Sequence, residues 1–284
     1  MARLLQDVRV SARLLARSKG FTAVAVLILG LGIGATSTVF SITNALLFRP
    51  LNGGATRDLV RLYGRDRDAT GGGYRRFSYP NFQDLRRRRD VFAELAAYDY
   101  GFTGVTEGNT TRRVMAGFVS SSYFPLLGVP MARGRAFTPA DDEVGAPPVV
   151  IVSHEFWTAA GSDPGLVGQT LTVGGRSCTV VGITPPGFTG TMAVTGLPLW
   201  LPLGQTGGEG ISTRTPSDRL ADRNNHAYGV VGRLADGLTL ASAAPRLDVL
   251  SRALEQAYPV YSIEIFSEIE EILVGGDAGS VNTL

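Results

Sequence analysis

From Gly20 to Phe48 the chain reads GFTAVAVLILGLGIGATSTVFSITNALLF, twenty-nine residues without a charged side chain, closed by Lys19 on one side and Arg49 on the other. A helix rises about 1.5 Å per residue and a bilayer core is about 30 Å thick, so about 20 such residues reach across it. The pattern predicts a transmembrane helix over 20–48, and Phe21 to Phe40 would suffice alone. A cleaved signal sequence would carry an apolar run of only about 7–15 residues. Here the run continues through Val39, Phe40 and Ile42, which predicts a retained anchor. Ahead of it, Arg3, Arg9, Arg13, Arg17 and Lys19 face a single Asp7, while Leu4, Leu5, Val8, Leu14 and Leu15 recur at roughly helical spacing. Residues 1–19 therefore predict a short amphipathic helix on the membrane surface.

After Arg49 the period changes repeatedly, as expected of a water-exposed domain. Leu59 to Tyr63 is strand-like. Ser78 can cap a helix opened by Pro80, and Phe82, Leu85, Phe92 and Leu95 recur at helical intervals, which predicts a helix through Leu95. Arg112 to Val119 and Pro148 to Ser153 read as strands, each leading into a short helix, at Ser121 to Phe124 and at His154 to Trp157. Gln169 to Val173 and Ser177 to Ile183 predict a hairpin across Gly174-Gly175. The Gly/Ser/Thr-rich stretch 204–225 predicts a loop, Ala227 to Leu234 a strand, and Leu240 to Tyr258 a helix with Ala244, Leu247, Leu250 and Leu254 on one side. Tyr261 to Phe266 is a last strand candidate before a Gly/Ser-rich tail. Mixed strands and helices give an α+β domain.

Composition narrows the picture. The net charge of +2 is too small to imply nucleic acid as a partner. The run Arg86 to Arg89 lacks interleaved stacking aromatics and reads as a solvated helix face. Cys178 is the only cysteine, so no intramolecular disulfide forms, and its apolar surroundings predict a buried thiol. Lys19, the only lysine, is followed by Gly20, so no Walker A loop is present. Two histidines, His154 and His226, and one cysteine are too few for the usual zinc sets. Ser153 adjoins His154, but neighbours on a strand point to opposite faces and do not make a dyad, and no G-x-S-x-G elbow occurs. Asp141-Asp142 reads as solvated acids in a loop without the spacing of an EF-hand. No catalytic, cofactor or metal residue is predicted. The one site with a physical rationale is Gly30 with Gly34, a GxxxG pair that lets another membrane helix approach closely.

The segments DVRVSARLLARSKGFTAVAVLILGLGIGATSTVFSITNALLFRPL, SYPNFQDLR, VFAELAAYD, VSSSYFPLLGVPMARGRAFTPADD, PVVIVSHEFW, DPGLVGQTLTVGGRSCTVVGITPPGFTG, LWLPL and VVGRLADGLTLASA follow one another in an order that resembles MacB/FtsX-type ABC transporter permeases. The likeness is to their first membrane helix and periplasmic core domain, above all in the duplicated permeases of acidobacteria. It implies an internal N-terminus, one span in the cytoplasmic membrane and an extracytoplasmic domain. That domain would comprise a porter-like part, 51–125 with 225–265, an inserted β-rich sabre-like part, 126–224, and a tail, 266–284. It implies a non-enzymatic permease component whose partners are a separate ABC ATPase and other permease helices or a second permease copy. Relatives continue with three more membrane helices, so the resemblance also implies a fragment or an orphan reading frame. A membrane-anchored enzyme or an interaction module without transport is the alternative.

Overall fold

The computed structural model describes residues 20, 22–24, 27–34, 59–66, 74–108, 110–191, 196–205, 215–257, 263–264 and 270–271. The chain forms two compact units, Met1–Arg49 and Pro50–Leu284. In the first, residues 22–24 and 27–34 are helical, and Val24, Leu27, Ile28, Leu29, Leu31 and Ile33 are exposed. Among the described residues no helix is long and apolar enough to cross a membrane. The surface helix predicted over 1–19 and the remainder of the span predicted over 20–48 lie outside the described residues.

The second unit opens with β1 (Leu59–Leu62), β2 (Gly64–Asp66) and β3 (Tyr74–Arg75). In α1 (Tyr79–Arg86), Ser78 caps the helix by accepting the Asn81 N–H at 3.3 Å, and Pro80 sits in the first turn, where its missing N–H costs nothing. This helix stops at Arg86 and does not run through Leu95. Residues 92–107 form the sixteen-residue strand β4 (Phe92–Glu107) instead. The helical spacing of Phe92 and Leu95 has a local cause. A β-bulge shifts the register here, so that Leu234 faces Phe92 while Arg233 faces Glu94. The extra residue lets side chains three positions apart share one face, imitating a helical period. Beyond it, Tyr98, Tyr100, Phe102, Thr103 and Val105 favour a pleated strand, and Gly101 and Gly104 disfavour a helix.

Then follow β5 (Thr110–Val119), α2 (Tyr123–Leu126), β6 (Arg133–Gly134), a 3-10 turn at Pro139–Asp142, β7 (Val149–Val152) and α3 (His154–Ala159). The predicted hairpin is β8 (Thr170–Val173) with β9 (Arg176–Ile183), and Gly174 and Gly175 both take positive φ, 59° and 71°. That is the geometry a two-residue hairpin demands of its turn. Next come β10 (Leu199–Pro202), a 3-10 turn at Leu203–Gln205, α4 (Pro216–Ala221), β11 (Gly229–Leu234), α5 (Leu240–Ala257), β12 (Ile263–Glu264) and β13 (Glu270–Glu271). The α+β reading stands.

Strands β12, β2 and β3 make a small sheet, and the others a ten-stranded one in the order β13-β1-β11-β4-β5-β10-β7-β9-β6. Strand β8 pairs with both β4 and β9. Thus β4, β5, β10, β7, β9 and β8 close on themselves as a six-stranded ring, with β10 parallel to β5 and β7 parallel to β9. Closure removes the open edges that these strands would otherwise expose.

Among the described residues the apolar side chains gather in three cores. One lies where α1 and α5 cover the sheet, with Phe82, Leu85, Leu95, Ala97, Val230 and Leu247. The second covers the opposite face with Tyr98, Tyr123, Phe124, Ile151, Trp200 and Val231. The third fills the ring with Val105, Ala116, Val150, Val180, Leu199 and Leu201, and Phe156 of α3 joins it. In the second core Trp200 is wholly buried and lies over Gly117. A Cβ at Gly117 would stand 2.5 Å from Trp200 Cδ1 and 2.9 Å from Nε1. Gly117→Ala is therefore expected to destabilise the domain by about 1–3 kcal/mol through overpacking. Gly196→Ala, whose nearest neighbour would be Thr189 Cγ2 at 3.8 Å, is expected to be close to neutral. Thermal melting of the two variants checks this, and equal melting temperatures would refute it.

Candidate functional site

Strand β4 offers one edge to β5 along its outer length and divides the other edge between two partners. Strand β11 takes Phe92 to Tyr98, and β8 takes Val105 and Thr106. The residues between, from Asp99 to Thr103, have no ladder partner on that edge among the described residues. The same stretch changes cores. Leu95 and Ala97 point into the helix-covered core and Val105 into the ring, and with a period of two Asp99, Gly101 and Thr103 lie on that face between them.

A cleft of about 170 Å³ opens at this seam, lined by Asp99, Gly101, Phe118, Arg176, Cys178 and Arg219 among others. Asp99 accepts a hydrogen bond from Arg76 Nη1 at 2.8 Å, and the same nitrogen donates to the Ala227 carbonyl at 2.7 Å. Burial pushes the Asp99 carboxyl above the usual carboxylate range, although the Tyr100 N–H, Arg76 and Arg219 all oppose the shift. Arg176 stands just past the Gly174-Gly175 turn and donates from Nη1 to the Gln205 carbonyl at 3.1 Å. Gln205 is fixed in turn. Its Oε1 accepts the Val149 N–H, and its Nε2 donates to the Pro147 carbonyl, both at 3.1 Å. Arg219 comes from α4, a helix held by the reciprocal caps of Thr215 and Asp218. The Cys178 thiol is buried, as its sequence setting predicts, with Sγ 3.6 Å from the Arg176 carbonyl. The cleft thus brings a bridged carboxylate and two guanidiniums onto the boundary between two cores.

Two polar knots brace the seam. On the other face of β4, the Tyr100 and Tyr123 hydroxyls meet Thr191 Oγ1, at 2.5 and 3.1 Å, and the Thr191 N–H donates to the Tyr123 oxygen at 2.8 Å. Burial raises both phenols, that of Tyr123 to about 12, so both serve as neutral hydrogen-bonding groups at ordinary pH. The second knot corrects the reading of Asp141-Asp142 as solvated acids. Asp141 is buried and Asp142 half-buried. Asp142 accepts from the Ser121 N–H at 3.1 Å and the Gly204 N–H at 3.4 Å, tying the ends of β5 and β10 together, and burial raises its carboxyl. Asp141 pairs with Arg135 at 2.6 Å and accepts the Thr138 N–H at 2.7 Å. Partial burial works against its ionisation, yet Arg135 and Thr138 hold it below the usual range.

The other sequence candidates are not brought together. Ser153 caps α3 by accepting the Phe156 N–H at 2.9 Å. His154 stacks edge-on against Trp157, with centroids 5.3 Å apart, and His226 lies in the loop before β11. The arginine run straddles the end of α1, where Arg87 pairs with Asp84 and Arg88 with Asp90, so it is solvated as expected but leaves the helix after Arg86. Gly30 and Gly34 lie in the helical residues 27–34, and a Cβ at either would meet nothing within 4 Å. Among the described residues no group of His, Cys, Asp and Glu is arranged to hold a metal ion. Sequence reasoning missed Asp99, Arg176 and Arg219. The available signal was Asp99 itself, a charge on the inward phase of AAYDYGFTGV.

The sequence model of the MacB-like periplasmic core domain family matches residues 22–250. Over 122 residues the chain is 31% identical to the export ATP-binding/permease protein MacB of Pseudomonas entomophila, a stretch that covers 42% of this chain and 16% of that protein. The fold is similar to that of a domain of a protein described as a permease from Porphyromonas gingivalis, at 14% identity and a TM-score of 0.55, covering 76% of this chain and 90% of that one. It is also similar to the periplasmic region of MacB from Actinobacillus actinomycetemcomitans, at 15% identity and a TM-score of 0.51, covering 74% of this chain and 89% of that one.

The raised carboxyl of Asp99 makes a signed prediction. Its neutral form is the better tolerated, so its contribution to stability is complete below the unfolded-state pKa and is lost as pH rises through the higher folded-state value. Asp99→Asn cannot ionise. Between about pH 4 and pH 7 the melting temperature of the variant is expected to improve relative to the unmodified chain; a gap that stays constant across that range would refute the assignment.

Proposed function

The chain belongs to the MacB-like periplasmic core domain family, and from that premise we propose that it is the permease component of a MacB-like ABC transporter. In this reading the unit 50–284 is extracytoplasmic, binds substrate or partner proteins, and relays motion driven by a separate ABC ATPase. The observation that carries the reading is the reach of the family match, which starts at residue 22 inside the apolar stretch and runs to 250. Strand β4 supports the relay, because its continuous backbone ladder passes from one core into the next without a loop. Hydrogen-bonded strands carry displacement along their length as a stiff unit.

The remaining assignments belong to the same proposal. Residues 1–19 lie on the cytoplasmic side and 20–48 span the inner membrane. The porter-like part is 51–125 with 225–265, the sabre-like part is 126–224, and 266–284 is a tail. Gly30 and Gly34 form the face against which other permease helices, or a second permease copy, pack. The chain performs no catalysis of its own in this scheme; the chemistry is the ATPase's.

Purification of the chain from native membranes, at native expression, is expected to bring an ABC ATPase with it. A chain recovered alone would sink the transporter reading. Gly30→Ile and Gly34→Ile are each expected to reduce recovery of the membrane partner severalfold, because a bulky side chain holds helix backbones apart. Gly32→Ile, on the far side of the helix, is expected to leave it unchanged. Equal recovery from all three variants would remove the packing role.

A further inference from the structure

We propose that the cleft at the seam of β4 is a docking point for a carboxylate, presented as an acidic side chain by a partner protein; the partner rests on the relay reading above, whereas the carboxylate chemistry stands on the cleft alone. Two guanidiniums line it from separate elements, Arg176 from β9 of the ring and Arg219 from α4. Arg176 commits Nη1 to the Gln205 carbonyl and has further N–H donors beyond that one. Among the described residues the Arg219 guanidinium makes no hydrogen bond and no ion pair. The acid in the cleft, Asp99, is already bridged to Arg76 at 2.8 Å, so the local balance is positive.

Size selects the occupant. About 170 Å³ is below the range of roughly 300–1,000 Å³ that small-molecule sites occupy, and it suits a single side chain. Phe118, Val173 and Leu201 supply an apolar wall for the methylene stem of a glutamate, with its carboxylate directed at the arginines. Charge-assisted bonds of this kind are among the stronger hydrogen bonds, and a planar guanidinium matches a carboxylate in shape. A carboxylate held by both arginines would join α4 to β9 across the stretch of β4 whose second edge lacks a strand partner among the described residues. Occupancy would then stiffen the boundary between the helix-covered core and the ring.

Ligand-observed NMR on the full chain in lipid nanodiscs tests this with four probes: glutarate, neutral glutaramide, the blocked peptide acetyl-Gly-Glu-Gly-amide and its glutamine counterpart. Glutarate and the glutamate peptide are expected to bind and the two neutral probes are not. Arg176→Gln and Arg219→Gln are each expected to weaken binding by about tenfold, and Arg219→Lys to recover part of the loss. Arg219 stands on a short surface helix, so an unchanged melting temperature separates a binding defect from unfolding. Equal binding of the neutral probes, binding that survives loss of both arginines, or absence of carboxylate binding to the folded chain would overturn the proposal. Glutarate binding without any response from the glutamate peptide would overturn the partner side chain as occupant in favour of a free small carboxylate. These results are read independently of ATPase co-purification, so failure of the transporter reading and failure of the carboxylate site remain distinguishable.

Discussion

The antiparallel ladder between β4 and β5 is the interaction on which the rest of the domain depends. It runs unbroken through ten pairs, from Tyr98 opposite Val119 to Glu107 opposite Thr110. Each face of this ribbon serves a different core. At Ala96 and Tyr98 it meets the layer built around Trp200, and at Val105 and Ala116 it forms a wall of the ring. Ribbons this long twist strongly, and twist lets one pair of strands belong to an open sheet at one end and a closed ring at the other. The ladder continues past the end of β5 by side-chain substitution. Ser120 Oγ accepts the Ala97 N–H at 3.0 Å, and Ser122 Oγ donates to the Leu95 carbonyl at 2.7 Å. Backbone groups in so dry a place need such partners, because an unpaired buried N–H costs about 1–3 kcal/mol.

Where layers come close, the chain places glycine against a large ring. Gly117 makes room for Trp200 and Gly229 for Tyr98, its cross-strand neighbour. The charged groups that remain inside are partnered, at the seam, in the knots around it and on α1, where Asp84 holds Arg223 at 2.8 Å. Asp99 has Arg76, Asp141 has Arg135, and Asp142 has backbone donors from two strand ends. This distribution is what the high cost of burying an unpaired charge imposes.

Much of this was legible in the chain. Ser78 with Pro80 announced α1, Gly174-Gly175 announced the β8–β9 hairpin, and PVVIV announced β7, because each carries its instruction locally. The order of the segments also gave the family, which the match over residues 22–250 bears out. Strand β4 was misread because a bulge places Phe92 and Leu95 on one side and so mimics a helical repeat. The seam was invisible for a different reason. It is assembled from Asp99, Arg176 and Arg219, which lie far apart in the sequence and share no motif; the pairing of β8 with both β4 and β9 brings Arg176 to Asp99, and α4 carries Arg219 there by packing on α1 and on the 3-10 turn at Leu203–Gln205. Asp142 was misjudged because burial of an acid depends on backbone donors contributed by remote strand ends.

The order of the strands has a consequence for how the domain comes into being. Strand β1, the first of the large sheet in the sequence, lies antiparallel to β11, with Leu59 opposite Arg233. Strand β11 then separates β1 from β4. Every strand of the ring is made before β11, so the β4–β5 ribbon and the ring can form while β1 still waits for its neighbour. Contacts between residues so distant in sequence form late and slowly. During synthesis, then, the apolar Leu59, Val60 and Leu62 are left without their β11 partners until residue 233 has emerged, and that interval is when this chain most needs protection from aggregation.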